Sequence, residues 1–346
     1  MSPGMPEERR SITSLMTRVL FAGGIGRRGR GAKYPIQTRL YRNTTNSRCY
    51  KTPRTHPRDS DGDPGMSQDS VTDHRHAAPP RAVETFPERF RGAAGFYTSG
   101  RPAYPQRLAR RVATLVGGLE QGRVLDLGTG PGFLAIDFAP LAGAVIGVDP
   151  EPAMLAAAER NAAAAAAGRR IRFLPGTGET LDPGLAPLRL VTIGRAFHWM
   201  DRPRTLAVLD RLVAPRGAVA LFGTAYPDVP ENAWVPAFQA VLDRYDDADP
   251  ARTHLRTARN HDAELLASTF GHLERVAVLE RRRTPLARLV DRAFSFGKVW
   301  GDQPDRLPPT LAEEVRAALA PHAVEGSITE VVEGRATIAW RPGEID

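Results

Sequence analysis

In the stretch Val124-Leu125-Asp126-Leu127-Gly128-Thr129-Gly130-Pro131-Gly132-Phe133, three glycines at alternate positions follow an apolar run that carries one carboxylate. Gly128, Gly130 and Gly132 permit a tight turn and let a ligand approach the backbone without meeting a Cβ. The spacing is G-x-G-x-G rather than the G-x-G-x-x-G of dinucleotide folds. Asp126 would repel a pyrophosphate and suits an amino group instead. Farther on, Asp149 ends the apolar run Val145-Ile146-Gly147-Val148. At that distance from the glycines an acidic residue accepts hydrogen bonds from a ribose diol. The same carboxylate could instead cap a helix over residues 153–167. Gly176-Thr177-Gly178-Glu179 reads as a turn. In Ala196-Phe197-His198-Trp199-Met200-Asp201, His198 has the ordinary pKa of a general base. The alternative is that His198 and Trp199 pack beside a ligand while Asp201 caps the next helix.

These loops need a frame that brings them to one edge. Short apolar runs at 123–127, 144–148, 171–175, 188–194 and 218–224 read as strands, with helices over 133–141, 153–167 and 203–213 between them. Strands and helices alternating in this way predict βαβ units and a parallel sheet covered on both faces. Ligands of such sheets bind at the carboxyl ends of the strands, where all four loops fall. Further strands are expected at 273–280 and 328–339, with helical material at 106–115, 227–241, 262–270, 285–300 and 310–320.

The 346 residues carry a formal net charge of +8, but residues 1–65 hold 13 basic and 5 acidic residues, which leaves 34 of each sign in the rest. A body without net charge lacks the concentrated positive field that nucleic-acid binding needs. Neither a nucleic-acid nor a membrane partner is expected, since no apolar run reaches the length of a spanning helix. Cys49 alone excludes an internal disulfide framework and a thiolate zinc site, so a reducing cytoplasm is expected and no metal. Residues 1–80, rich in Arg, Pro, Gly and Ser, read as a disordered basic extension, or as residues upstream of a true start at Met66. A single domain is expected over 81–346.

Taken in order, VLDLGTGPG, VIGVDP, GTGET, LVTIGRAFHWMD and APRGAVALFG resemble the motifs of class I S-adenosylmethionine-dependent methyltransferases. The group concerned is the broad one that includes the ubiquinone/menaquinone-biosynthesis and trans-aconitate methyltransferase-like enzymes. The resemblance spans residues 90–346. It implies an α/β fold, a doubly wound Rossmann-like sheet of seven strands whose last two form an antiparallel pair. It implies S-adenosyl-L-methionine as cofactor and in-line methyl transfer to a small-molecule acceptor. A non-catalytic S-adenosylmethionine-binding protein and an NAD(P)-dependent oxidoreductase are the competing readings.

Carried over by residue, the resemblance has Gly128, Gly130 and Gly132 lining the methionine moiety, with Asp126 near its amino group. It has Asp149 on the ribose hydroxyls and Pro150 and Met154 around the adenine. Thr177 stands where relatives often have Asp, with the Gly178 N–H free to serve the adenine ring, while Glu179 orients the loop. The segment 96–105 resembles one that folds over the cofactor, which would bring Tyr97 and Arg101 to the methionine carboxylate. Lid segments are implied near 225–270 and 285–325. Their aromatics Trp234, Phe238, Tyr245, Phe294, Phe296 and Trp300 suit an apolar or aromatic acceptor, although core packing would account for most of them. Arg281-Arg282-Arg283 could attract an acidic acceptor or form a solvated charge run.

Overall fold

The computed structural model describes residues 94–245, 261–296, 299 and 307–343, residue 169 by its backbone alone. All belong to one compact unit. The expected extension, Cys49, Met66 and Trp300 lie outside the described residues.

Seven strands form one sheet: β1 (Arg123–Leu127), β2 (Ala144–Asp149), β3 (Ile171–Pro175), β4 (Leu188–Gly194), β5 (Val213–Ala225), β6 (His272–Pro285) and β7 (Ser327–Trp340). Their order is β3-β2-β1-β4-β5-β7-β6. Strands β1 to β5 run parallel, and β7 lies antiparallel to both β5 and β6. This is the doubly wound sheet with an antiparallel final pair that the motifs imply.

The period of two along each strand sorts the apolar residues between two helical layers. Val124, Leu190, Ala218, Ala220 and Phe222 face one layer, while Leu125, Leu127, Val191, Ile193 and Val219 face the other. The first layer holds α2 (Gln106–Val116), which presents Leu108, Ala109, Val112 and Val116 along one side, and α3 (Phe133–Phe138). Helix α4 (Pro152–Ala164) packs on β3 and β2. The second layer holds α5 (Arg202–Leu212), through Leu206, Leu209 and Leu212.

The segments expected to form a lid fall into two different clusters. Helices α6 (Val235–Asp243), α8 (Leu286–Phe294) and α9 (Leu311–Leu319) share a cluster with Trp234, Phe238 and Phe294 buried inside and Tyr245 and Phe296 at its margin. Three of the aromatics are therefore core. Helix α7 (Asp262–Leu266) instead inserts Leu265 beside α5 in the second layer. Helix α1 (Ala94–Gly100) closes against α8 so tightly that a Cβ on Gly100 would lie 2.3 Å from the Arg292 backbone nitrogen.

Some boundaries differ from expectation for local reasons. Helix α3 stops at Phe138: Ala139 still has helical dihedrals, and Pro140 after it has no N–H with which to carry the ladder on. Strand β5 begins five residues earlier than expected. Pro215 and Gly217 read as a turn, yet Val213 already pairs with Leu188 across a register shift, and Arg216 takes a left-handed φ of 59°.

A half-buried acid contributes to the pH dependence of the domain. Burial and neighbouring Asp126 push the Asp137 carboxyl in α3 up to about 7. A folded-state pKa above the unfolded value favours the protonated form, so this group's contribution is complete below about pH 4 and is lost as pH rises through 7. Partial exposure holds the effect to about 1–2 kcal/mol. Asp137→Asn is expected to raise the melting temperature by a few degrees at pH 8 and to leave it unchanged at pH 4. Thermal denaturation at both pH values checks this, and an equal shift at both would contradict it.

Candidate functional site

After β1 the chain reverses through Gly128, at φ 66°, where a Cβ would stand 2.5 Å from that of Ala196 in the loop after β4. Only glycine combines that dihedral with that approach. The Gly128 and Thr129 N–H groups both donate to the Val148 carbonyl, at 2.8 and 3.0 Å, and so tie the turn to β2. Beneath it lies Asp126, 1% exposed. Its carboxylate accepts from Thr129 Oγ1 at 2.6 Å, Thr192 Oγ1 at 2.9 Å and the Ala135 N–H at 3.1 Å. Burial pushes it up to about 6 despite these three donors.

Asp149 ends β2 with its carboxylate accepting from the Gly130 N–H at 2.8 Å and the Glu151 N–H at 3.0 Å. Burial raises its pKa and the two backbone donors oppose the rise. The capping role falls to Glu151, whose Oε1 accepts from the Ala153 N–H at 3.1 Å. Asp149 is thereby left to hold the glycine turn with its carboxylate at a cavity wall.

That cavity, of about 820 Å³ including its mouth, opens at the carboxyl ends of β1, β2, β3 and β4. Of the expected residues its wall unites Tyr97, Gly128, Gly130, Asp149, Pro150, Met154, Thr177 and Gly178. Thr177 also meets Thr180 hydroxyl to hydroxyl at 3.0 Å, in a short capped turn. Glu179 orients the loop, its Oε1 accepting from the Asp201 N–H at 2.8 Å, and Asp201 caps α5 through the Arg204 N–H at 3.2 Å.

Four expected residues stay outside the wall. Asp126 is buried under the turn, where its three donors make it a brace for the loop. Gly132 sits behind the turn at the start of α3, against Ala158. His198 lies against Trp199, ring centroids 4.9 Å apart, while Trp199 and Met200 line the wall. The Arg101 guanidinium rests 3.8 Å from the Phe296 ring centroid and donates to the Ser295 carbonyl at 3.2 Å.

Arg195, which the sequence reading passed over, takes the wall position instead. It has a left-handed φ of 57°, donates to the Pro102 carbonyl at 3.1 Å and lies 4.7 Å from the Tyr104 ring centroid. A lone cation between an apolar strand and an aromatic turn was the available signal. Glu151 was also missed, although an acid directly before Pro152 marks a helix start. The three consecutive arginines of β6 are matched, Arg281 by Glu231, Arg282 by Glu280 and Arg283 by Glu325. They form a compensated charge run and not an attracting patch.

With this geometry established, known proteins offer comparison. Residues 124–217 match the family described as a methyltransferase domain. An uncharacterized methyltransferase of Mycobacterium tuberculosis (strain H37Rv) is 29% identical over 181 residues, covering 51% of this chain and 69% of its own. The ribosomal protein L11 methyltransferase of Thermus thermophilus is 49% identical over 102 residues, 29% of this chain and 38% of its own. The solved structure of a proposed type II methyltransferase from Anaeromyxobacter dehalogenans superposes with a TM-score of 0.53 at 22% identity, over 70% of this chain and 97% of its own. That last likeness is one of fold.

Proposed function

We propose that this chain, which carries the domain of the class I S-adenosylmethionine-dependent methyltransferases, passes the methyl group to a small-molecule acceptor. One observation carries the reading: the glycine turn, the Asp149 carboxylate and the loops after β3 and β4 border a single cavity. The residues fit the cofactor. Beyond Gly130 a Cβ would meet nothing within 4 Å, so the turn presents open backbone to a ligand. Asp149 has acceptor capacity left for a ribose diol, Pro150 and Met154 give apolar surface for a base, and Arg195 with Tyr97 offers donors to a carboxylate.

When bound, S-adenosyl-L-methionine supplies a methyl carbon already activated on a sulfonium. The protein's task is then to align the acceptor and to exclude water. Trp199 and Met200 from the loop after β4 and Tyr97 of α1 line the same cavity. A cavity lined in this way supports an acceptor small enough to enter it. Incubating the protein with methyl-labelled cofactor and cell extract tests this. Label should pass an ultrafilter with the small molecules, and label retained on macromolecules would overturn the reading.

His198 lies outside the wall, so proton removal does not depend on it. His198→Ala is expected to change turnover less than about threefold, against the roughly hundredfold or greater loss that follows removal of a general base. Initial rates for the two proteins decide between these outcomes.

A further inference from the structure

Three guanidinium groups lie close enough beside the cavity to influence one another, and among the described residues only one is matched by an acid. Arg292 forks onto Glu330 at 2.7 and 3.1 Å, with both side chains buried. Arg195 stands in the cavity wall beside Tyr97. Arg101 lies close enough to both for each to act on its charge. Its guanidinium packs on the faces of Phe296 and Tyr97, at 3.8 and 5.2 Å from the centroids. One of its nitrogens reaches the Ser295 carbonyl, and its Nε is buried with no hydrogen-bond partner. Among the described residues no carboxylate pairs with Arg101 or Arg195, and the Arg195 Nε is buried without a partner as well.

We infer that Arg101 binds a carboxylate carried by the methyl acceptor, Arg195 being left for the carboxylate of the cofactor. The inference rests on the methyltransferase reading above and extends it to a substrate class. A largely buried guanidinium without a counterion is unfavourable, and stacking on aromatic rings offsets only a part of that. Burial accordingly depresses Arg101 to about 10, and the proximity of two further cations adds to the strain. A planar guanidinium with a donor edge still open matches a carboxylate in two-point contact. Phe296, Tyr97 and Tyr226 surround this position, so the body of the acid is apolar or aromatic. The competing account is that Arg101 merely clamps α1 to the end of α8 through its ring contacts.

Protein saturated with S-adenosylhomocysteine is titrated calorimetrically with benzoate, cinnamate, hexanoate and glutarate, each beside its neutral amide. At least one acid is expected to bind roughly tenfold or more tightly than its amide, the least that a charge-assisted pair contributes. Arg101→Gln should erase that preference and Arg101→Lys should keep part of it. The inference is overturned if no acid is preferred in the unaltered protein, a result that needs no folded variant, or if the preference survives in Arg101→Gln. Absence of any heat or thermal shift with S-adenosylhomocysteine itself would instead bring down the cofactor assignment, so the two failures are distinct.

Discussion

A Glu330→Ala variant is expected to lose about 3–5 kcal/mol of stability. Glu330 is 1% exposed and accepts from Arg292 through both oxygens and from Thr284 Oγ1 at 2.7 Å. Arg292 cannot turn to water when its partner is gone. Its Nε is held by the Gly100 carbonyl at 2.9 Å and its Nη1 by the Tyr226 hydroxyl at 2.6 Å. Alanine would leave a charge enclosed without a counterion, and the joint between α1, α8, β5 and β7 would fail at one point. The melting temperature should fall on the order of 10 °C. A double replacement by apolar residues, Arg292→Met with Glu330→Leu, should recover much of the loss, because the pair opposes its own desolvation. A single variant that melts with the unaltered protein would show the pair to be dispensable.

The largest effect on binding is expected at Asp149. Asp149→Ala should weaken S-adenosylhomocysteine by about 1.5–3 kcal/mol, or roughly ten- to a hundredfold, as measured by calorimetry. Two consequences add in this variant. On the proposed reading the ribose loses its acceptor, and the Gly130 and Glu151 N–H groups lose theirs, which frees the turn. Asp149→Asn retains an acceptor oxygen and should fall between the two. Unchanged affinity in the alanine variant would remove Asp149 from the site.

The central strands and the glycine turn were readable because their causes are local. β1, β2 and β4 are covered on both faces, so they appear as near-continuous apolar runs, and Gly128 shows itself because no other residue suits its dihedral. Asp126 and Arg195 were not readable, because what places them is remote in sequence. Asp126 is turned inward by Thr192, 66 residues away, and Arg195 is held by Pro102, 93 residues away. Spacing alone marks such residues as polar groups near a ligand. Whether they touch it or brace the loop around it is decided by partners that the linear order hides. The same holds for Arg101, whose neighbours Ser295 and Phe296 arrive from the far end of α8.

The last strand in the chain occupies an inner place in the sheet, between β5 and β6. During synthesis the ribosome therefore finishes the whole cofactor-binding half while β5 still has a bare apolar border and β6 has nothing beside it to pair with. Nascent chains halted before Ser327 would offer that border to one another, and strands exposed in this way recruit copies of themselves. Expression of this domain should thus be more sensitive to premature stops within β7 than to comparable losses in surface loops, and insoluble protein should mark them.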